Sequence, residues 1–539
     1  MPHPSSPPQD PPRARLASLS HPRTLALIAI AIGLLLRVPG MLQSLWLDEI
    51  FRTRVGLATD RLWWLLFYDV HNPLYNALIW VWIRVAGDSE IAIRLPSLFV
   101  AIALIALIWR WAAARFGVLA GSVAGLWLLV SPVAVWYSTE AKNNIFTVLF
   151  ATAGVCLIDV AMRSRRTRDV ALAAAACVLA VATDFQSLLV LAPAWIAVAW
   201  FGAVGTYGRS GAPEPRFAAR LIARLAPLLF VIASALAFLI PWTIFKSGHA
   251  SELPRPYVGY LHWHEVLRLL IIWLPTGNAF PPIVRGWILN GVWIGLLVLP
   301  LLLAGLFRLA RTPAGVLVLA GLFGPPLLMM VANEMLVATG AKTRLYQPRN
   351  LLVMLPWFAV ALGVGAAAWR EWQSRRAARI QSEASRSRST ISRIATPVII
   401  APLALALVST ILIRTTQSER ETVITPNPDW RGLAEWNREG TEVPIIANTM
   451  VLPLEYYAPG LRAFQVQGAE DRIARIHTIV RDERLAEFIF AHNPHWYPPM
   501  TDEEIAQALS VGEVVGRAHF QSFDAWRVRV RDVVITPSP

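Results

Sequence analysis

Between residues 24 and 414 the chain alternates long apolar runs with short polar connections, and the runs are too uniform to be the faces of soluble helices. A helix crossing the hydrocarbon layer needs about 20 mostly apolar residues, because each adds about 1.5 Å and no backbone group can go unpaired in lipid. Runs of this kind lie at roughly 24 to 41, 94 to 112, 117 to 135, 144 to 162, 170 to 183, 187 to 205, 225 to 245, 286 to 307, 313 to 337, 350 to 369 and 396 to 414. The pattern predicts an α-helical polytopic membrane protein with about 11 transmembrane helices. Residues 73 to 87 are apolar too, but short, rich in Tyr and Trp, and closed by Arg84, which suits a helix lying at the headgroup level. Residues 42 to 93 then form one outer loop with two interfacial helices, the first beginning near Asp48.

Beyond residue 415 the period changes. Val443–Asn448, Glu487–His492, Glu513–Phe520 and Trp526–Val530 read as strands, with helical stretches at 470 to 485 and 501 to 510, so residues 415 to 539 predict a small α/β domain. It carries no Gly-rich phosphate fingerprint.

Composition supports this division. The chain has 539 residues, 55% apolar and 16% charged, which excludes a disordered chain, a collagen-like repeat and a coiled coil. The formal net charge of +14 is unevenly placed: residues 415 to 539 hold 18 acids against 12 bases, whereas residues 1 to 414 hold 37 bases against 17 acids. The arginines of the first part fall between apolar runs, so they record loop orientation and not nucleic-acid binding. With residues 1 to 23 as a cytoplasmic tail, the basic connections at Arg110–Arg115, Arg163–Arg168, Arg209–Arg224, Arg308–Arg311 and 370 to 395 all fall inside. Residues 24 to 414 are then a multi-pass domain of the inner or plasma membrane, with the C-terminal domain extracytoplasmic. The first run reads as an uncleaved span, and Cys156 and Cys177 both sit in apolar runs, so no disulfide framework exists.

Ionisable residues beside apolar spans mark pathways or sites. Asp48 and Glu49 directly follow the first run, where a carboxylate could take a proton from a hydroxyl or ligate a cation; Asp48 could equally cap the helix that follows, with Glu49 favoured by its positive end. His71 stands before Asn72-Pro73, a helix-start pair, and is a candidate for bonding a substrate or phosphate. Trp136-Tyr137-Ser138-Thr139-Glu140-Ala141-Lys142 is a polar turn between spans, whose Glu140 and Lys142 form either a surface ion pair or charges for a substrate. Lys342, Arg344 and Arg349, with Tyr346 between them, cluster at an outer boundary against the inside-positive bias, and such cations can neutralise a lipid phosphate. The loop from Lys246 to Arg285 is long enough to be a lid, and its His262-x-His264 is weak evidence for a metal.

These residues, in this order, resemble the polytopic GT-C-type glycosyltransferases, a group that contains the protein O-mannosyltransferases and the bacterial lipid A aminoarabinose transferase. Trp46-Leu47-Asp48-Glu49 looks like the Asp-Glu motif of their first outer loop, and Asp69-Val70-His71-Asn72-Pro73-Leu74-Tyr75 like their Asp-x-His-Pro-Pro-Leu-Tyr. Gly87-Asp88-Ser89-Glu90 through Arg94-Leu95-Pro96-Ser97 is similar to the stretch leading into the second span, Tyr137-Ser138-Thr139-Glu140-Ala141-Lys142 to Tyr-Ser-x-Glu-Ala-Arg, and Arg349-Asn350-Leu351-Leu352 with Pro356 to Arg-Tyr-Leu-x-Pro. Asn72 replaces the first proline, and Lys142 stands where arginine is usual, keeping the charge without the guanidinium fork.

The resemblance implies the GT-C fold and transfer of a sugar from a polyprenyl-phosphate carrier to an envelope glycan, lipid or protein on the outer side of the bilayer, with inversion. It implies Asp48 as general base, Lys142 and Arg349, with Lys342 or Arg344, stabilising the leaving phosphate, and Glu49, His71, Tyr137, Glu140 and Tyr346 as substrate contacts. A divalent cation is left open as cofactor, with Asp48, Glu140 and His71 as its candidate ligands. The rival class is a transporter or flippase of lipid-linked sugars, which would show paired repeats and polar residues near the midplane; no repeat is visible here.

Overall fold

The structure, a computed structural model, describes residues 22–57, 73–204, 217–247, 261–277, 297–338, 348–381, 388–415, 429–449, 451–466, 471–493, 500–520 and 523–531. Its first part is helical: α1 (Pro22–Leu35), α2 (Leu47–Leu57), α3 (Pro73–Ala86), α4 (Glu90–Phe116), α5 (Val118–Val130), α6 (Pro132–Tyr137), α7 (Asn144–Ser164), α8 (Thr167–Thr183), α9 (Leu188–Ala203), α10 (Phe217–Ser247), α11 (Leu299–Leu309), α12 (Pro313–Ala338), α13 (Leu355–Gln381) and α14 (Arg388–Thr415). Six described helices are long and apolar enough to cross a membrane: α4, α7, α9 with its preceding 3₁₀ turn, α10, α12 and α13. Shorter apolar helices at Leu27–Met41, Val118–Val130, Leu299–Leu309 and Val398–Leu412 fall on four more of the expected runs, and α8 on the remaining one. The two helices expected in the first outer loop are present as α2 and α3.

Small residues bring the helices together. A Cβ on Gly363 would lie 2.1 Å from Ala120 O of α5, one on Gly365 1.9 Å from Leu301 O of α11, and one on Gly305 2.0 Å from Ala361 O. Backbones thus approach along α13 at distances that side chains would forbid, the close packing that substitutes for a hydrophobic driving force between helices in lipid. One buried charge is paired several times over. Asp159 of α7, with no exposed surface, accepts from Arg115 Nε at 2.6 Å, Arg163 Nε at 2.9 Å and Trp111 Nε1 at 3.3 Å. This cluster pins α4 to α7 at the end of the bundle remote from Asp48.

The C-terminal unit contains α15 (Trp430–Glu439), α16 (Leu452–Tyr457), α17 (Arg472–Asp482) and α18 (Asp502–Leu509), around strands β1 (Ile445–Ala447), β2 (Ala463–Gln465), β3 (Glu487–His492), β4 (Gly512–Phe520) and β5 (Phe523–Val530). The sheet order is β2-β1-β3-β5-β4, parallel among the first three and antiparallel thereafter. Strand alternation divides the core. Ile446, Phe488 and Phe490 pack with Ile476, Ile479 and Ala508 on one face, and Ile445, Ile489 and Ala491 pack with Trp430, Leu433 and Leu454 on the other.

This unit grips the segment that follows α1. Ser44 Oγ donates to Asp429 Oδ1 at 2.8 Å, and the Leu45 N–H donates to Tyr457 Oη at 2.6 Å. Tyr457 Oη in turn donates to Glu90 Oε1 at 2.7 Å, while Arg431 Nη1 meets Glu90 Oε2 at 2.5 Å and Tyr456 Oη donates to Asp88 O at 2.9 Å.

Because Gly365 sits against a backbone carbonyl that cannot yield, Gly365→Val is expected to destabilise the bundle by at least about 1–3 kcal/mol. A lower thermal midpoint in detergent, with a reduced monodisperse fraction on size exclusion, would register this, and Ala367→Val at a looser position serves as its control.

Candidate functional site

Asp48 and Glu49 occupy the first turn of α2. Adjacent helical positions diverge by about 100°, so the two carboxylates part company. Glu49 turns inward and is fully buried, as is Arg94 of α4. Arg94 Nε donates to Glu49 Oε1 at 2.9 Å and Nη2 to Oε2 at 2.6 Å, a two-pronged ion pair. The rest of the guanidinium is spent on backbone: Nη1 donates to Gln43 O at 2.5 Å and Met41 O at 3.3 Å, and Nη2 to Ser44 O at 3.1 Å. Glu49 also accepts from Trp46 N at 3.2 Å and Ala141 N at 2.7 Å. The capping contact at the start of α2 therefore comes from Glu49, and Asp48 is left for other work.

Asp48 is 37% exposed and receives the Lys142 ammonium on Oδ2. Lys142 is only 4% exposed, lies 4.9 Å over the Trp46 ring, and follows Ala141, whose N–H is held by Glu49. The turn that carries it is tight: Lys142 N donates to Glu140 O at 2.9 Å, as in a γ-turn, and Ser97 Oγ of α4 donates to the same carbonyl at 2.6 Å. Arg349, on a 3₁₀ turn over Pro348–Met354, places Nη1 3.9 Å from the same Asp48 oxygen. One partly exposed carboxylate thus faces two cations from distant stretches of chain.

Glu140 is buried beside this pair and accepts from Asn144 Nδ2 at 3.0 Å. Burial raises its carboxyl above the ordinary glutamate range, Lys142 opposes the rise, and Glu49 adds to it. Tyr137, at the end of α6, is likewise buried, and its hydroxyl is pushed up by burial and by Glu140.

Residues 70–211 match the model of the dolichyl-phosphate-mannose-protein mannosyltransferase family. The whole chain is similar to the crystal structure of ArnT from Cupriavidus metallidurans in the apo state, at 13% identity and a TM-score of 0.51, over 93% of this chain and 97% of that one. The same protein bound to undecaprenyl phosphate matches at 14% identity and a TM-score of 0.51, over 96% and 100%. At this identity the likeness shows a shared fold, that of the GT-C membrane glycosyltransferases. The Archaeoglobus fulgidus oligosaccharyltransferase tethered with an acceptor peptide gives a TM-score of 0.49 at 12% identity, over 88% of this chain and 69% of that one. No curated protein sequence matches.

Within this GT-C fold, Asp48, Lys142 and Arg349 converge, Glu140 and Tyr137 lie beneath them, and Glu49 belongs to the buried scaffold. His71, Lys342, Arg344 and Tyr346 lie outside the described residues. Among the described residues, which do not include His71, no group of three His, Cys, Asp or Glu side chains is placed to hold a metal ion. His262 and His264 are exposed, with their rings stacked 5.3 Å apart. Three residues at the site carry no sequence assignment of role. Arg94 enters the sequence reading only as part of the stretch leading into the second span, with no role attached. Asp184 and Gln186, in the short connection between the fifth and sixth runs, bond to Asn143 and Asn350. An acid between two apolar runs on the Asp48 side was the available signal.

Arg94→Met leaves the buried charge of Glu49 without its cation, so it is expected to cost about 3–5 kcal/mol, and Glu49→Met with Arg94→Met considerably less. Unfolding in detergent tests both. For Glu140 the folded state holds the proton more tightly than the unfolded chain does. Its contribution is therefore full below the ordinary glutamate range, about pH 4, and declines as pH rises through the folded value. Glu140→Gln is expected to match wild type near pH 4 and to exceed it in thermal midpoint at neutral pH.

Proposed function

We propose that this chain transfers a sugar from a polyprenyl-phosphate carrier to a nucleophile on an envelope glycan, lipid or protein at the extracytoplasmic face, with inversion. The observation that carries this reading is the convergence of Lys142 and Arg349 on the single partly exposed carboxylate of Asp48. The ArnT structure to which the chain is similar is described as bound to undecaprenyl phosphate. A carrier of that class would lay its isoprenoid tail along the helices and bring its phosphate to the two cations.

Each residue then has a task. Asp48 accepts the proton of the acceptor hydroxyl as its oxygen attacks the anomeric carbon. The bond from that carbon to the phosphate oxygen breaks, and its electron pair leaves on the phosphate. Lys142 and Arg349 stabilise the charge that accumulates there, Arg349 through a guanidinium 38% exposed and shaped for phosphate. Glu49 and Arg94 touch no substrate; they fix the turn of α2 that aims Asp48. Glu140 and Tyr137, underneath, present a polar floor to the sugar. His71, Lys342, Arg344 and Tyr346 are assigned as further contacts on the same face.

Proteoliposomes charged with radiolabelled polyprenyl-phosphate sugars and membrane extract test this. Wild type is expected to form glycosylated product. Asp48→Asn should reduce the rate by about 10²- to 10⁴-fold, the usual contribution of a positioned general base. Lys142→Ala and Arg349→Ala should lower both donor affinity and rate. Translocation of the lipid-linked sugar with no product, or full product from Asp48→Asn, would favour a transporter or a different base.

A further inference from the structure

Lys142 and Arg349 stand on loops that share no continuous chain, yet both must address one phosphate. The residue after each is tied to the same short connection. Asn143 Nδ2 donates to Asp184 Oδ2 at 2.7 Å, Asp184 Oδ1 accepts the Gln186 N–H at 2.8 Å, and Gln186 Nε2 donates to Asn350 Oδ1 at 3.0 Å. An unbroken string, Asn143–Asp184–Gln186–Asn350, therefore runs from the neighbour of one cation to the neighbour of the other.

Local structure explains only part of it. Asp184 follows α8 and opens the 3₁₀ turn Phe185–Ser187, so its bond to Gln186 N is an ordinary cap. That turn needs neither the contact with Asn143, 41 residues away, nor the contact of Gln186 with Asn350, 164 residues away. Asn143 is buried, and its Oδ1 has no partner among the described residues, so its carboxamide is held through Nδ2 alone. Side-chain bonds between segments so far apart fix the spacing of the segments.

We propose that Asp184 and Gln186 are positioning residues for a phosphate-bearing substrate: by tethering Asn143 and Asn350 they set the separation and aim of Lys142 and Arg349. Neither touches the reacting atoms. The inference rests on the lipid-phosphate donor reading above, and it makes a distinction that a charge-based role for Asp184 would not. In Asp184→Asn the new carboxamide oxygen can still accept from Gln186 N, and its Nδ2 can donate to Asn143 Oδ1 once the Asn143 amide turns over, so the string survives without the charge. In Asp184→Ala it is cut.

Full-length wild type, Asp184→Ala, Asp184→Asn and Gln186→Ala in lipid nanodiscs are titrated with undecaprenyl phosphate, with binding read by native mass spectrometry. Amide exchange of the same samples is followed without ligand. Asp184→Ala and Gln186→Ala are expected to weaken binding by about tenfold, and Asp184→Asn to stay within about twofold of wild type. Exchange should rise across 140–146 and 348–353 in the two alanine variants, remain unchanged at 45–50, and return to the wild-type pattern in Asp184→Asn. Loss of binding in Asp184→Asn equal to that in Asp184→Ala would show that the charge matters and overturn the proposal. So would unchanged exchange in Asp184→Ala, or unchanged affinity in Asp184→Ala from a wild type that binds. A wild type that does not bind undecaprenyl phosphate, with the exchange pattern as described, would uphold the tether and remove the donor reading instead.

Discussion

The guanidinium of Arg94 meets an acceptor with each of its five N–H groups: two carboxylate oxygens of Glu49 and the carbonyls of Met41, Gln43 and Ser44. Glu49 accepts in addition from Trp46 and Ala141. A fully buried pair of this kind contributes little net stability over an apolar substitute, because desolvation offsets most of its attraction. What it supplies is geometry. It joins the exit of the first span, the first turn of α2, the head of α4 and the turn before α7, and a lysine could not replace it, since an ammonium has three donors and no fork. Asp48 and Lys142 are each one residue away from this junction, and their pairing follows from it.

The same economy recurs across the site. Asp48 and Arg349 stay partly open and Lys142 is buried against Asp48, while a residue adjacent to each is bonded to a distant part of the chain: Glu49 beside Asp48, Ala141 and Asn143 on either side of Lys142, Asn350 beside Arg349. Preorganised charges stabilise a developing phosphate charge more than mobile ones, because no reorganisation is needed during the reaction.

Much of this was readable from the sequence, for specific reasons. Apolar run length located the helices, and the placement of arginines grouped Asp48, Lys142 and Arg349 on one side; short hydrophobic pieces marked β1, β3, β4 and β5. Order and spacing of motifs then carried the resemblance to GT-C enzymes. What escaped has a common cause: the deciding contacts are between residues far apart in the chain. Nothing local distinguishes Glu49 from Asp48, yet one is wholly buried because Arg94, 45 residues on, reaches it. Asp184 reads as a helix-end acid until Asn143 and, through Gln186, Asn350 are seen beside it. Strand β2, at the edge of the sheet and nowhere fully buried, lacks the apolar run that marks β1. His71, Lys342, Arg344 and Tyr346 fall outside the described residues, so their grouping rests on sequence.

The hold of the C-terminal unit on the segment after the first span has a consequence for biogenesis. Ser44 and Leu45 are secured by Asp429 and Tyr457, which lie 385 and 412 residues later. During synthesis the segment after α1 emerges long before its clasp exists, and α2 to α14 are made in the meantime. The arrangement seen here is therefore completed only after Asp429 and Tyr457 have been made, so a product truncated before them would leave this clasp unmade.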